Sequence, residues 1–245
     1  MTQEQHIFLT AEWRDLVILN YEVDGELLSG YVPAGAVLDS FQGRFYISVV
    51  GFRFRRTRLF GFLPVPFHSD FDEVNLRFYV RRKEGAEERR GVVFIAEIVP
   101  KRAVAQLARR AYGENYVSLP MEHSITGNGA ANRVEYRWRL NGAWCKLYAQ
   151  TSGAPAPAEE RSLEQFITEH YWGYTKQATG AAIEYHVAHP VWNVWASAAA
   201  GFEGDASGVY GSELARILQR PPDSAFIADG SAVTVFRGKR IREPP

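Results

Sequence analysis

The stretch from Arg133 to Gln150 constrains the fold more than any other part of the chain. Val134, Tyr136, Trp138 and Leu140 alternate with Arg133, Glu135, Arg137 and Arg139. In an extended strand every second side chain falls on the same face, so this alternation specifies a strand with one apolar face. Asn141-Gly142 follows, and a second extended run spans Trp144–Gln150. Asn-Gly adopts the left-handed backbone that a two-residue hairpin turn requires. An antiparallel hairpin is predicted, and its apolar face needs a second layer to cover it.

Comparable runs recur. Val17–Val23, Arg44–Phe54, Val74–Arg81, Gly91–Val99, Ile183–His189, Val191–Ser197 and Ala232–Arg237 all read as strands. Gly91–Val99 is almost wholly apolar, as in a strand buried on both faces. In Val74–Arg81, Leu76, Phe78 and Val80 share one face, and Asn75, Arg77 and Tyr79 the other. Helical patterns are fewer. Pro100–Tyr112 carries Ala103, Val104, Leu107, Ala108 and Ala111 at helical spacing, with Gly113 as its stop. Ser162-Leu163-Glu164-Gln165 is a capping box. Ser212–Gln219 is stopped by Pro221-Pro222, and a short helix is expected at Asp24–Leu28. Many strands joined by turns, with few helices, predict an α+β, mostly β fold: a large curled antiparallel sheet or barrel with peripheral helices. Ser152–Ala158 reads as an exposed loop. The strands after it are too few to stand alone, so one domain over residues 1–245 is expected.

The 28 basic and 28 acidic side chains balance, which argues against a nucleic-acid or anionic-membrane partner. No apolar run reaches about eighteen residues, so no membrane-crossing helix is expected. The first residues lack the basic and apolar regions of a secretory signal. Cys145 is the single cysteine, and a cytoplasmic location is predicted.

Glu97-Ile98-Val99-Pro100-Lys101-Arg102 is the most suggestive chemical motif. Proline suits the first position of a helix, which puts Lys101 and Arg102 in its first turn. The helix dipole opposes cations there by roughly 0.3–1 kcal/mol each. A lysine of ordinary pKa is neutral in only about one molecule in two thousand at pH 7; burial and a helix N-terminus raise that fraction. A neutral amine can attack a ketone and form a Schiff base. The competing reading is a solvated pair at a strand end.

Pro66–Glu73 gathers His68, Asp70, Asp72 and Glu73, donors suited to a hard or borderline metal. It has no recognised ligand spacing, and a polar loop explains it as well; no metal or other cofactor is expected. Glu73, Asn75 and Arg77 share a strand face. Turned inward they would hold a carboxylate or carbonyl; turned outward they are solvated. His170, His186 and His189 sit beside aromatic residues, as bases or as packed rings.

Several motifs in order resemble the YqjF-like family of uncharacterised proteins: Tyr21-Glu22-Val23-Asp24, Leu27-Leu28, Val32-Pro33-Ala34-Gly35, Leu38-Asp39, Tyr46–Phe52, Glu73–Val80 and Glu169–Tyr174. The resemblance covers nearly the whole chain. YqjF-like proteins are similar in fold to acetoacetate decarboxylase, which implies a large antiparallel β-cone or barrel of the acetoacetate decarboxylase-like type around a central pocket. In that enzyme the Schiff-base lysine follows a proline and precedes a second lysine. Pro100-Lys101-Arg102 resembles this motif, with Arg102 in place of the second lysine. Arg14 resembles the early pocket arginine. Tyr46 and Arg58 stand where two pocket glutamates would be, leaving Glu73 or Glu97 to handle protons. The resemblance thus implies a lysine-dependent lyase or decarboxylase acting on a small keto acid. Lys101, Arg102 and Glu97 would be catalytic; Arg14, Tyr46, Glu73, Asn75 and Arg77 would bind substrate. The alternative is a non-catalytic barrel that holds a small polar or amphipathic ligand in a pocket lined by Tyr46, Asn75, Arg77 and tryptophans; the partner expected is a small carbonyl or carboxylate molecule. A third reading, a fold kept for protein interaction, requires a filled barrel. A homo-oligomer is compatible with each.

Overall fold

Extended runs longer than the sequence pattern suggests dominate the computed structural model, which describes residues 6–127, 132–151, 153–177 and 181–241. The N-terminal five residues and Ser152 of the expected loop lie outside the described residues. The strands are β1 (Ile7–Val23), β2 (Val37–Leu38), β3 (Phe45–Leu59), β4 (Leu63–Pro64), β5 (Phe71–Glu84), β6 (Glu87–Val99), β7 (Tyr116–Ser118) and β8 (Met121–Gly127). They continue with β9 (Asn132–Leu140), β10 (Ala143–Thr151), β11 (Ala156–Pro157), β12 (Trp172–Lys176), β13 (Ala182–Ala188), β14 (Asn193–Glu203), β15 (Ser224–Phe236) and β16 (Lys239–Ile241). The helices are α1 (Gly25–Ser29), α2 (Arg102–Tyr112), α3 (Leu163–Thr168), α4 (Ser207–Tyr210) and α5 (Ser212–Leu218).

The expected hairpin is β9–β10, with Trp138 opposite Cys145 and Tyr136 opposite Leu147. Asn141 and Gly142 both take positive φ, 49° and 85°, as its tight turn demands. β13, β12, β6, β5, β3, β1 and β15 are hydrogen-bonded in that order, and β15 pairs again with β13. That last pairing closes a ring and removes its edges. The ring is antiparallel except where β12 runs parallel to β6. Beyond β15, the strands β14, β10, β9 and β8 form a wing that folds over the outside of β1, β3 and β5.

Alternation then sorts side chains into two cores. Val17, Leu19, Ile47, Val49 and Leu76 face outward and pack against Tyr136, Trp138 and Leu147 of the wing. Ile18, Val50, Phe52, Phe71 and Val92 face inward with Phe166 and Ile167 of α3. Two bulges reset the phase. On β1, Asp15 (φ 58°) interrupts the pairing with β3, so that Trp13 and Leu16 both reach the interior. On β6, Ile95 is the extra residue.

Pro100 does not begin the helix. Lys101 is its N-cap, with extended backbone (φ −104°, ψ 111°), and its carbonyl accepts the first helical bond from the Ala105 N–H at 3.1 Å. The helix therefore starts at Arg102. Residues 153–157 are exposed, and Ala156–Pro157 pair with β14. Among the described residues no helix is long and apolar enough to cross a membrane.

Candidate functional site

The ring encloses a cavity of about 140 Å³, far more than a single-water void. One wall is aromatic, built from Trp13, Phe52, Phe54, Phe71 and Trp192. Trp13 meets Phe52, Phe54 and Trp192 edge to face, and Phe54 stacks on Phe71 at 4.6 Å. Val104, Leu107 and Ala108 of α2 close part of the rim.

The polar lining comes from β5, β6, the turn after α2, and β7. Glu73, Asn75 and Arg77 of β5 turn inward and are buried. Glu97 on β6 and Glu114 after Gly113 join them. Asn75 Nδ2 donates to Glu73 Oε1 (3.1 Å), and the Tyr116 hydroxyl donates to Glu73 Oε2 (3.2 Å). Tyr185 and Thr175 hydroxyls donate to Glu114 Oε1, at 2.5 and 3.3 Å. Glu97 and Glu114 line the cavity close enough to interact electrostatically, and two neighbouring buried carboxylates would repel, which favours keeping a proton on the pair. Burial is the main cause that lifts all three acids, with mutual repulsion adding to Glu73 and Glu97: Glu73 to about 8, Glu114 to about 7, and Glu97 well above the usual range. A neutral buried acid can donate a hydrogen bond at neutral pH, which a carboxylate cannot.

Arg77 is the one lysine or arginine among the described residues lining the cavity. Its Nη2 donates to the Ile167 carbonyl at 3.3 Å, and its Nε has no hydrogen-bond partner among the described residues. His170 also lines the cavity; burial lowers its pKa to about 4. His189 stacks on Trp192 at 4.3 Å and is likewise held down by burial.

Of the residues singled out in the sequence, Glu73, Asn75, Arg77 and Glu97 come together in the cavity. Lys101, Arg102, Arg14 and Tyr46 are not among the residues that line it. Lys101 is half-buried at the helix cap and Arg102 is exposed. Arg14 pairs with Glu12 at 3.2 Å. Tyr46 is buried in the inner core. Of the Pro66–Glu73 donors, His68 and Glu73 both line the cavity, His68 also bonding the Pro66 carbonyl, whereas Asp70 accepts from the Arg56 N–H and Asp72 pairs with His123. Among the described residues, no group of three or more such side chains could hold a metal. Glu114, Tyr116 and Tyr185 were not singled out in the sequence. The Glu114/Tyr116 alternation after Gly113 is the one local sign of an inward face there.

Residues 10–232 match DUF2071, a family described as an uncharacterized conserved protein. The chain belongs to the DUF2071 family. It is 29% identical over 164 residues to the uncharacterized protein YqjF of Bacillus subtilis, an alignment that covers 66% of this chain and 65% of YqjF. The match thus spans just under two thirds of that relative's length. Among solved structures, this DUF2071 chain is similar to acetoacetate decarboxylase from Legionella pneumophila, with a TM-score of 0.67 and 13% identity over 96% of this chain and 87% of that one. It is also similar to the enduracididine biosynthesis enzyme MppR, with a TM-score of 0.67 and 10% identity over 95% of this chain and 87% of that one. A third is an acetoacetate decarboxylase-like enzyme from Sphingomonas wittichii, with a TM-score of 0.64 and 13% identity over 96% of this chain and 94% of that one. At these identities the likeness is one of fold, and the fold is the acetoacetate decarboxylase-like one.

Proposed function

We propose that this DUF2071 protein binds a small molecule bearing a carboxylate and a carbonyl or hydroxyl group inside its barrel, with Arg77 and Glu97 as the recognising groups. One observation carries this reading. Of the ten buried side-chain polar atoms without a hydrogen-bond partner among the described residues, six belong to cavity-lining residues: Trp13, Thr57, Asn75, Arg77, Glu97 and His170. Leaving such a group unpaired costs on the order of 1–3 kcal/mol, so their concentration around one cavity fits a site completed by a polar ligand. A carboxylate suits the Arg77 guanidinium. A carbonyl or hydroxyl oxygen suits the proton-bearing Glu97. The aromatic wall takes the apolar remainder. MppR, which shares this fold, has been solved complexed with pyruvate, a compact molecule of this class.

A lysine-dependent lyase is the second reading, supported by Pro100-Lys101-Arg102 and the shared fold. One experiment separates the two. Calorimetric titration with pyruvate, 2-oxobutanoate and phenylpyruvate is expected to show saturable binding that survives Lys101→Ala and weakens at least ~10-fold, about 1.4 kcal/mol, in Arg77→Met. Binding lost in Lys101→Ala, together with borohydride trapping of the ligand on Lys101, would replace this reading with the Schiff-base one.

A further inference from the structure

We infer that His170, oriented by Asp39, is a general base for the bound ligand, and that the cavity moves a proton at the carbon next to a carbonyl. The inference rests on the proposed binding of a small oxo acid and adds a reaction to it.

The ring of His170 is fixed on several sides. Its Nε2 lies 3.4 Å from Asp39 Oδ2. That same oxygen accepts from Arg90 Nε at 2.8 Å, and Asp39 Oδ1 accepts from the Ser40 N–H at 3.0 Å. Asp39 is thus an ionised acceptor already anchored by a cation and a backbone amide. An acceptor-only partner at Nε2 requires the proton of the neutral ring to sit there, which leaves the lone pair on Nδ1. Nδ1 is buried and has no hydrogen-bond partner among the described residues. Tyr79 and Phe166 pack on the ring, with centroids 4.8 and 5.0 Å away. A histidine with one nitrogen tied to a carboxylate and the other bare, on a ring lining a cavity, has the arrangement of an oriented base. Arg77 lines the same cavity, and both residues pack on Tyr79, with the Arg77 guanidinium 5.8 Å and the His170 ring 4.8 Å from that ring's centroid, so the carboxylate anchor and the base are neighbours.

Glu97 supplies the opposite partner. Its Oε2 is buried and unpartnered among the described residues, and burial holds the acid well above the usual carboxylate range, so the neutral acid has a proton to give. For a 2-oxo acid held by its carboxylate on Arg77, Nδ1 takes a proton from C3. The C3–H electron pair becomes the C2=C3 bond, the carbonyl π pair moves to oxygen, and that oxygen takes the proton of Glu97. The product is the enol tautomer, an isomer of the ligand, with imidazolium and carboxylate left behind. Reversal restores both, so the step needs no further reactant.

The test is hydrogen–deuterium exchange at carbon. 2-Oxobutanoate and phenylpyruvate in D₂O are followed by proton NMR for loss of the C3–H signal, with binding measured in parallel by calorimetry. Wild-type protein is expected to accelerate the exchange. His170→Gln and Glu97→Gln are each expected to slow it by about 100-fold or more, while each variant still melts cooperatively and His170→Gln still binds. Asp39 is a positioning residue, so Asp39→Asn is read by nitrogen-15 NMR of the His170 ring: the Nε2–H tautomer gives way to a mixture as exchange falls. Binding without enzyme-dependent exchange, or exchange undiminished in His170→Gln, overturns the inference and leaves the binding reading standing. Absence of binding by either probe overturns both.

Discussion

Asn75 faces Glu97 across the β5–β6 ladder, but two residues along β5 Arg77 faces Phe94 rather than Ile95. Ile95 is the additional residue of a bulge, and its effect is to change the phase of β6. Before it, Val92 and Phe94 point into the ring; after it, Glu97 and Val99 do. Without the bulge Ala96 and Ile98 would point inward, and Glu97 would be driven into the apolar layer under the wing. The bulge delivers the third acid of the cavity to Glu73 and Glu114.

These three acids make stability fall with alkalinity. Each has a folded pKa above its unfolded value of 4.5, so the folded chain holds protons that the unfolded chain has released. The stability they contribute is complete below pH 4.5 and is lost as pH rises through about 7 for Glu114 and about 8 for Glu73. Thermal melts are expected to show a falling midpoint between pH 6.5 and 8.5, each carboxyl contributing on the order of 1–3 kcal/mol. Glu114→Gln should flatten that fall. A midpoint independent of pH across this window would show that the acids are not held protonated.

Histidines act with the opposite sign. Burial lowers His170 from 6.5 to about 4 and also lowers His186 and His189. A group held neutral in this way contributes stability above pH 6.5 that is lost as pH falls toward its folded value. Between pH 4.5 and 6.5 the histidines and the acids oppose each other, which is why the alkaline window isolates the acids. His170→Gln is expected to flatten the loss of stability on acidification and leave the alkaline limb unchanged, as read from urea midpoints at pH 5 and pH 8. Equal flattening of both limbs would contradict the assignment.

Much of the scaffold was legible because it rests on local rules. The β9–β10 hairpin follows from alternation and Asn-Gly, and the shared face of Glu73, Asn75 and Arg77 follows from a period of two. The direction of that face was not legible, since it depends on ring closure by β13 and β15. The bulge at Ile95 was hidden because Val92–Val99 is apolar on both sides and offers no marker of phase. His170 meets Asp39 across 131 positions of chain, a contact no local pattern reports. The first-turn argument for Lys101 assumed a helix beginning at Pro100; the helix begins two residues later, so Lys101 caps it and Arg102 alone of the pair stands in the first turn.

Glu184 on β13 is a fully buried carboxylate that receives Arg89 at 2.7 Å, Arg82 at 3.1 Å and Lys239 at 3.2 Å. It ties β13 to β5, β6 and β16. Glu184→Gln keeps the shape but leaves cations without their counter-charge, a loss of about 3 kcal/mol. The urea midpoint is expected to fall with the slope of the transition unchanged. A near-neutral result would mean that Glu87 and Glu84, which also meet Arg89 and Arg82, are sufficient on their own.

Gly173 on β12 lies directly under the Tyr185 ring, and a Cβ there would overlap the ring and its hydroxyl. That ring has little room to retreat, because Tyr112 packs against it at 4.5 Å and its hydroxyl is tied to Glu114 at 2.5 Å. Gly173→Ala should therefore cost about 1–3 kcal/mol by overpacking and shift Tyr185 away from the acid. Tyr185→Phe removes the same hydrogen bond without moving the ring. If the Tyr185 hydroxyl matters to the cavity through Glu114, both variants should weaken binding of 2-oxobutanoate, and only Gly173→Ala should lower the melting midpoint by several degrees. If Gly173→Ala alone weakens binding, the shape of the wall and not the proton on Glu114 controls the ligand.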